Sequence, residues 1–187
     1  AGTDVTKDKT KDVADKTKKA PEIEGLTYES TMDLTYATEF DVYYYKDGYK
    51  LIDVHEDKQY LIVPEGEEEP ENLADDIVIQ QPTENIYMAA TASMSLFDAI
   101  GEIDKVKFSG LEASGWYVES AKEAMESGAM TFAGKYSEPD YETLVDGDCD
   151  LAIESTMILH TPKVQEMIED LGIPVFVDYS SYESHAL

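Results

Sequence analysis

Between Phe40 and Val63 the apolar and aromatic positions come in short runs, FDVYYY, YKLIDV and QYLIV, separated by polar turns. Their β-branched and aromatic content predicts strands, and Asp47-Gly48 between the first two favours a turn with positive φ, so the segment reads as a β-meander. Glu56 and Asp57 mark the next turn, and Pro64 stops the strand that follows. The stretch EGEEEPENLADD then offers almost nothing to bury. It reads as a solvated loop, because it lacks the alternating ligands and glycine of a calcium loop.

Beyond this loop the pattern alternates between short apolar runs and helical periodicity. DIVIQQP, closed by Pro82, and ENIYMAA read as strands. TASMSLFDAIGEI places Met94, Phe97 and Ile100 at helical spacing with Thr91 or Ser93 near the cap, and the strand KVKFSG follows. VESAKEAMESG is a helix stopped by Gly128, and EPDYETLVDG a short helix opened by Pro139 and ended near Gly147. DLAIE is again a strand. HTPKVQEMIEDLG has Thr161 as N-cap, Pro162 at the first helical position, Val164, Met167, Ile168 and Leu171 on one face, and Gly172 as stop. IPVFVD closes the series. Apolar strands alternating with amphipathic helices predict an α/β domain, a mostly parallel sheet with helices on both faces, preceded by the meander.

Composition changes this picture at the N-terminus. The first 20 of the 187 residues carry six Lys and four Asp with little to bury, so residues 1–22 read as a flexible tether and 23–187 as the folded body. The whole chain has a formal charge of −27, and all 14 basic residues are Lys. Such a chain is repelled by phosphate backbones and lacks the guanidinium fork that reads them, which argues against nucleic-acid binding. The single cysteine, Cys149, excludes an internal disulfide and reads as a small, partly buried residue. No run reaches the roughly 20 apolar residues that span a bilayer.

In a parallel sheet the strand C-termini open on one edge, where ligands bind. Three exits lie there: FSGLEASGWY, IESTMILH and VDYSSYESH. They would bring Trp116 and Tyr117, Glu154, Ser155, Thr156 and Met157, and Tyr179, Ser180, Ser181 and Tyr182 to one rim. That set suits a large, partly apolar ligand held by packing and hydrogen bonds; each residue by itself also suits a cap or a loop contact. Catalytic motifs are missing: no nucleophile elbow, no phosphate-binding glycine loop and no zinc-protease helix. Ser155 or Ser181 with His160 makes no spacing that demands a nucleophile and base, and His55, His160 and His185 suggest no metal site.

The stretch GKYSEPDYETLVDGDCDLAIESTMILHTPKVQEMIEDLGIPVFVDYSSYESHAL resembles the N-terminal lobe of bacterial substrate-binding proteins that serve iron-complex and cobalamin ABC importers. The likeness covers about residues 75–187 and is strongest from Gly134. It implies one lobe of a two-lobed protein, with the second lobe outside this sequence. It also implies that the aromatic loop at Trp116 and Tyr117, and the loops at Glu154–Met157 and Tyr179–Tyr182, look at the ligand. The glutamate of the family's Pro-Asn/Asp-x-Glu motif falls on Glu142, which the resemblance assigns to docking on the permease. A first-turn carboxylate favoured by the helix dipole accounts for Glu142 equally well.

The resemblance implies an extracytoplasmic binding protein that captures an iron complex such as a ferric siderophore and hands it to an ABC importer permease. Cobalamin or haem is the alternative cargo. No catalytic group, resident cofactor or protein metal ligand is expected; the ligand would be a chelated ferric ion. The N-terminal tether suits a lipoprotein whose lipid anchor, the one link to the membrane, lies outside this sequence. A structural or adhesive surface domain is the rival from another class.

Overall fold

The computed structural model describes residues 19–183 except 56 and 74–76. Most of the expected tether, the turn residue Glu56, and His185 therefore lie outside the described residues. From Lys19 the chain runs along the first sheet: Ala20, Ile23 and Leu26 pack on its core, and the Tyr45 hydroxyl donates to the Pro21 carbonyl at 2.6 Å.

That first sheet has five strands in sequence order: β1 (Tyr28–Thr31), β2 (Phe40–Tyr45), β3 (Lys50–Val54), β4 (Gln59–Val63) and β5 (Ile77–Gln80). The first three pairings are antiparallel, and β5 lies parallel to β4. The predicted turn is there: Asp47 and Gly48 have φ of 62° and 87° between β2 and β3. Two features depart from the sequence expectation. The strand Tyr28–Thr31 is exposed along its whole length, so its polar sequence carries no alternation to read. The run Ile77–Gln80 joins the meander rather than opening the α/β alternation, since its pairing with β4 is a choice between distant partners that no local pattern specifies.

The second sheet is parallel throughout, in the order β12-β11-β6-β7-β8. Its strands are β6 (Ile86–Met88), β7 (Val106–Ser109), β8 (Thr131–Phe132), β11 (Leu151–Ser155) and β12 (Val175–Asp178). A small hairpin of β9 (Gly134–Lys135) and β10 (Glu138–Pro139) follows β8. The helices are α1 (Thr91–Ile100), α2 (Glu119–Glu126), α3 (Tyr141–Asp146) and α4 (Pro162–Asp170). Helices α1 and α2 contribute Met94 and Ala121 to a core that also takes Val54, Tyr60 and Ile79 from the first sheet. Helices α3 and α4 contribute Leu144 and Ile168 to a core on the other face. Both faces of the parallel sheet are thus covered, as the uniformly apolar strands require.

The helical faces are narrower than their periodicity suggested. Met94 is fully buried and Phe97 partly so, but Ile100 is exposed. On α4, Ile168 is buried while Met167 and Leu171 are half exposed, and Gln165 is buried in their place. Thr161 precedes α4 without capping it; its hydroxyl donates instead to the Ile158 carbonyl at 3.2 Å. In α3 the cap is Asp140, whose carboxylate accepts from the Thr143 N–H at 3.1 Å and hydroxyl at 2.8 Å, leaving Pro139 in β10. The Thr143 amide, followed by its hydroxyl, holds the Asp140 carboxyl below its ordinary range.

Candidate functional site at the strand C-termini

The strand order places β6 beside β11, with the chain leaving β6 toward β7 and leaving β11 toward β12. Helix α1, after β6, covers one face, and α4, after β11, covers the other. This is a topological switch point, the place in an open α/β sheet where diverging connections leave a crevice at the strand C-termini. The small residues Ala89 and Ala90 precede α1 on the β6 side of the crevice. The β11 side carries Ser155, Thr156 and Met157. Ser155 accepts weakly from the Met157 N–H at 3.4 Å, Thr156 is half-buried, and Met157 is exposed. Their capping and ligand-facing readings are compatible: the cap fixes a tight turn that leaves the thioether outside.

Glu154 sits differently. Along β11, Leu151 and Ile153 point into the α1/α2 core and Ala152 into the α3/α4 core, so strand alternation carries Glu154 to the α3/α4 face. Its exposure is 0%, and neither carboxyl oxygen has a hydrogen-bond partner among the described residues. Burial pushes the acid up to about 8, so it is mostly protonated at neutral pH. Tyr87 and Tyr141 are its polar neighbours. Burial first, and the nearby Glu154 next, raise both hydroxyls above their ordinary range. The Tyr87 hydroxyl donates to the Gly134 carbonyl at 3.0 Å. Glu154 thus lies under the rim rather than on it.

The exit of β7 divides its two aromatic residues. Trp116 is 2% exposed and belongs to the α1/α2 core, where its indole N–H donates to Ser109 Oγ at 2.8 Å. Tyr117, its neighbour, is 98% exposed. Trp116 therefore shows no ring face to a ligand in this conformation, because an apolar ring with one donor is satisfied by the core and by Ser109. Ser109 was not singled out from the sequence. It is fully buried and also donates to the Leu111 carbonyl at 2.6 Å while accepting from the Leu111 N–H at 3.1 Å, which shapes the whole loop. A small polar residue following Phe108 at the end of the strand, on a run where only Val106 and Phe108 are apolar, was the available signal.

At the β12 exit, Asp178 closes a turn by accepting from the Ser180 N–H at 2.7 Å and hydroxyl at 2.9 Å. Tyr179 is half-buried, and its ring lies 5.9 Å from that of the exposed Tyr182. Ser181 is exposed. Beneath this exit, a cavity of about 640 Å³ runs between α1 and the strands β2 and β3. Phe40, Ile52, Leu96, Phe97, Ile153 and Phe176 give its apolar walls, and Tyr179 and Ser180 reach it from the rim. Asp178, missed in the sequence as an ordinary strand end, lines it as well. The structure thus gathers Ser155–Met157 at the switch point and Tyr179–Ser180 at the cavity, while Trp116 and Glu154 are buried.

Glu142 is exposed on the first turn of α3. That turn is tied to the rim through backbone bonds: Asp140 N–H donates to the Ala133 carbonyl at 2.8 Å, and Ala133 N–H to the Ser109 carbonyl at 2.9 Å. Cys149 is buried, its thiol pushed up to about 12 chiefly by that burial, and it donates to the Leu151 carbonyl at 3.6 Å. Among the described residues no group of three or more His, Cys, Asp or Glu is arranged to hold a metal ion, and no helix is long and apolar enough to cross a membrane.

No family model matches the chain, and no curated protein matches it. Among solved structures, the chain is similar to the petrobactin-binding protein YclQ from Bacillus subtilis, at 19% identity and a TM-score of 0.39. The match covers 50% of this chain and 30% of that one, so this chain corresponds to less than a third of that protein's length.

Proposed function

We propose that this chain is a lobe of an extracytoplasmic solute-binding protein that captures an iron complex, such as a ferric siderophore, for delivery to an ABC importer. The observation that carries a binding role is the switch point between β6 and β11, flanked by the start of α1 and by Ser155, Thr156 and the exposed Met157. The class of cargo rests on the sequence resemblance over residues 75–187. Glu142, solvent-facing beside the rim, is the docking residue in this reading, and the protein is held at the membrane by a lipid anchor.

Binding is favoured over catalysis by the state of the hydroxyls. Ser155 Oγ accepts from a backbone amide and, among the described residues, no base is hydrogen-bonded to it. The charge of the rim narrows the cargo. None of Tyr117, Ser155–Met157 and Tyr179–Tyr182 is basic, and the chain offers no arginine. A ferric trihydroxamate, in which three singly charged ligands cancel the metal charge, suits such a surface better than an anionic ferric catecholate.

The test is calorimetric titration of the complete protein with ferric hydroxamates, ferric catecholates, haem and cobalamin, using metal-free ligands as controls. Saturable binding of a ferric hydroxamate, weakened by Met157→Ala and Thr156→Ala, is the expected result. Absence of saturable binding across the panel would remove the cargo assignment, and a preference for catecholates would overturn the charge argument.

A further inference from the structure

The cavity under the β12 exit has a distribution of polar groups that the solute-binding reading does not use. Its volume of about 640 Å³ falls inside the range that encloses small organic ligands, roughly 300–1,000 Å³. Its walls are aromatic and aliphatic, but among the described residues its ionisable groups are all of one sign. Glu39, Asp178 and Glu183 line it, and no described Lys or His does.

These three carboxylates are held by neutral donors. Asp178, only 8% exposed, is bound by the amide and hydroxyl of Ser180. Glu183 accepts from the backbone N–H of Thr38 at 2.9 and 3.1 Å and of Glu39 at 2.8 Å, which pins the segment before β2 against the end of the described chain. Glu39 accepts from the Thr38 hydroxyl at 3.2 Å. Amides and hydroxyls orient a carboxylate without cancelling its charge, and none of the three forms an ion pair with a Lys or His among the described residues. The cavity therefore combines an apolar interior with fixed, uncompensated negative charge. An apolar occupant with a cationic group satisfies both features; an anionic one would meet repulsion in a site where water is partly excluded.

We infer that this cavity binds an amphiphilic organic cation, an aryl- or alkylammonium whose apolar part lies among Phe40, Leu96, Phe97, Ile153 and Phe176 and whose charged nitrogen faces Asp178, Glu183 and Glu39. The inference is independent of the solute-binding role and of any iron complex at the rim.

Three probes of one skeleton test it on the complete protein: phenylbutylammonium, phenylbutanol and phenylbutyrate, followed by calorimetry and by ligand-observed NMR. The cation binds with one-to-one stoichiometry and at least about fivefold more tightly than the alcohol, the anion binds most weakly, and raising the salt concentration narrows the gap. Leu96, half exposed at the wall, gives a variant that tolerates change. Leu96→Lys weakens both the cation and the alcohol through the lost apolar contact, and the cation at least about fivefold more through charge repulsion, while Glu39→Gln weakens the cation alone by about twofold to fivefold. Equal affinity for the three probes overturns the inference, as does binding of none of them. Cation binding that Leu96→Lys leaves unchanged also overturns it, since that is adventitious attraction to an acidic surface. Self-association that buries the cavity and excludes the cation would assign the face to a second copy instead and overturn it equally.

Discussion

Glu154→Gln isolates the energetic consequence of a carboxyl group buried with no hydrogen-bond partner among the described residues. In the folded protein burial raises this acid from its ordinary 4.5 to about 8. Between those values the folded state holds a proton that the unfolded state releases, so stability falls as pH rises. The contribution is fully favourable below about pH 4.5, declines through neutrality, and levels off above about pH 8. Each pH unit inside the window changes stability by about 1.4 kcal/mol, so from about pH 5 to about pH 7 the native carboxyl costs some ~2.5 kcal/mol that a glutamine does not. The comparison of slopes is immune to any constant penalty for burying the amide. Urea denaturation followed by circular dichroism at fixed ionic strength, across the pH range, gives both curves. The expected outcome is that the wild-type midpoint falls relative to Glu154→Gln as pH rises. Parallel curves, differing by a constant within about 0.5 kcal/mol, would refute the reasoning, because they would mean that Glu154 is hydrated or partnered when ionised.

Three further outcomes follow from particular contacts. Gly134→Ala destabilises by more than about 3 kcal/mol in the same urea assay, since its φ is +81° and a Cβ would come within 2.3 Å of the Glu138 carbonyl oxygen. Tyr60→Phe costs about 1–3 kcal/mol, because the Tyr60 hydroxyl accepts from the buried Val177 N–H at 3.2 Å and phenylalanine removes that acceptor; hydrogen exchange at Val177 should quicken beyond the global loss. Cys149 resists a thiol reagent in the native state and reacts at the rate of unfolding, because burial holds its thiol protonated, with a value of about 12.

The joint between the two sheets shows where sequence reading reached its limit. Tyr60 and Phe176 meet with ring centroids 4.6 Å apart, and Tyr60 also supplies the hydroxyl that satisfies the edge of β12. Each residue reads locally as an ordinary strand aromatic, and nothing in either run names the other. Asp47-Gly48 was legible because a positive φ is a requirement of the turn itself. Ser155 was legible as a residue at a strand exit, where it ends β11, since that follows from where the apolar run ends. Trp116 was not, because whether an amphipathic aromatic faces solvent or core depends on how the loop folds back onto Ser109 and on the packing against α2, which no local pattern specifies.

By itself, the sequence determined the period of each segment, the glycines that follow the helices, the excess of negative charge, and hence an α/β fold with a meander in front. These are properties of a few neighbouring residues: side-chain alternation, backbone freedom at glycine, proline geometry and charge. The tertiary structure decided which sheet Ile77–Gln80 joined, which neighbours flank the switch point, that Glu154 is sealed with no hydrogen-bond partner among the described residues, and that three carboxylates share one apolar cavity. Those depend on pairing and packing between residues far apart in the chain, where many partners satisfy the local pattern equally and only the mutual exclusion of water by the whole core selects one.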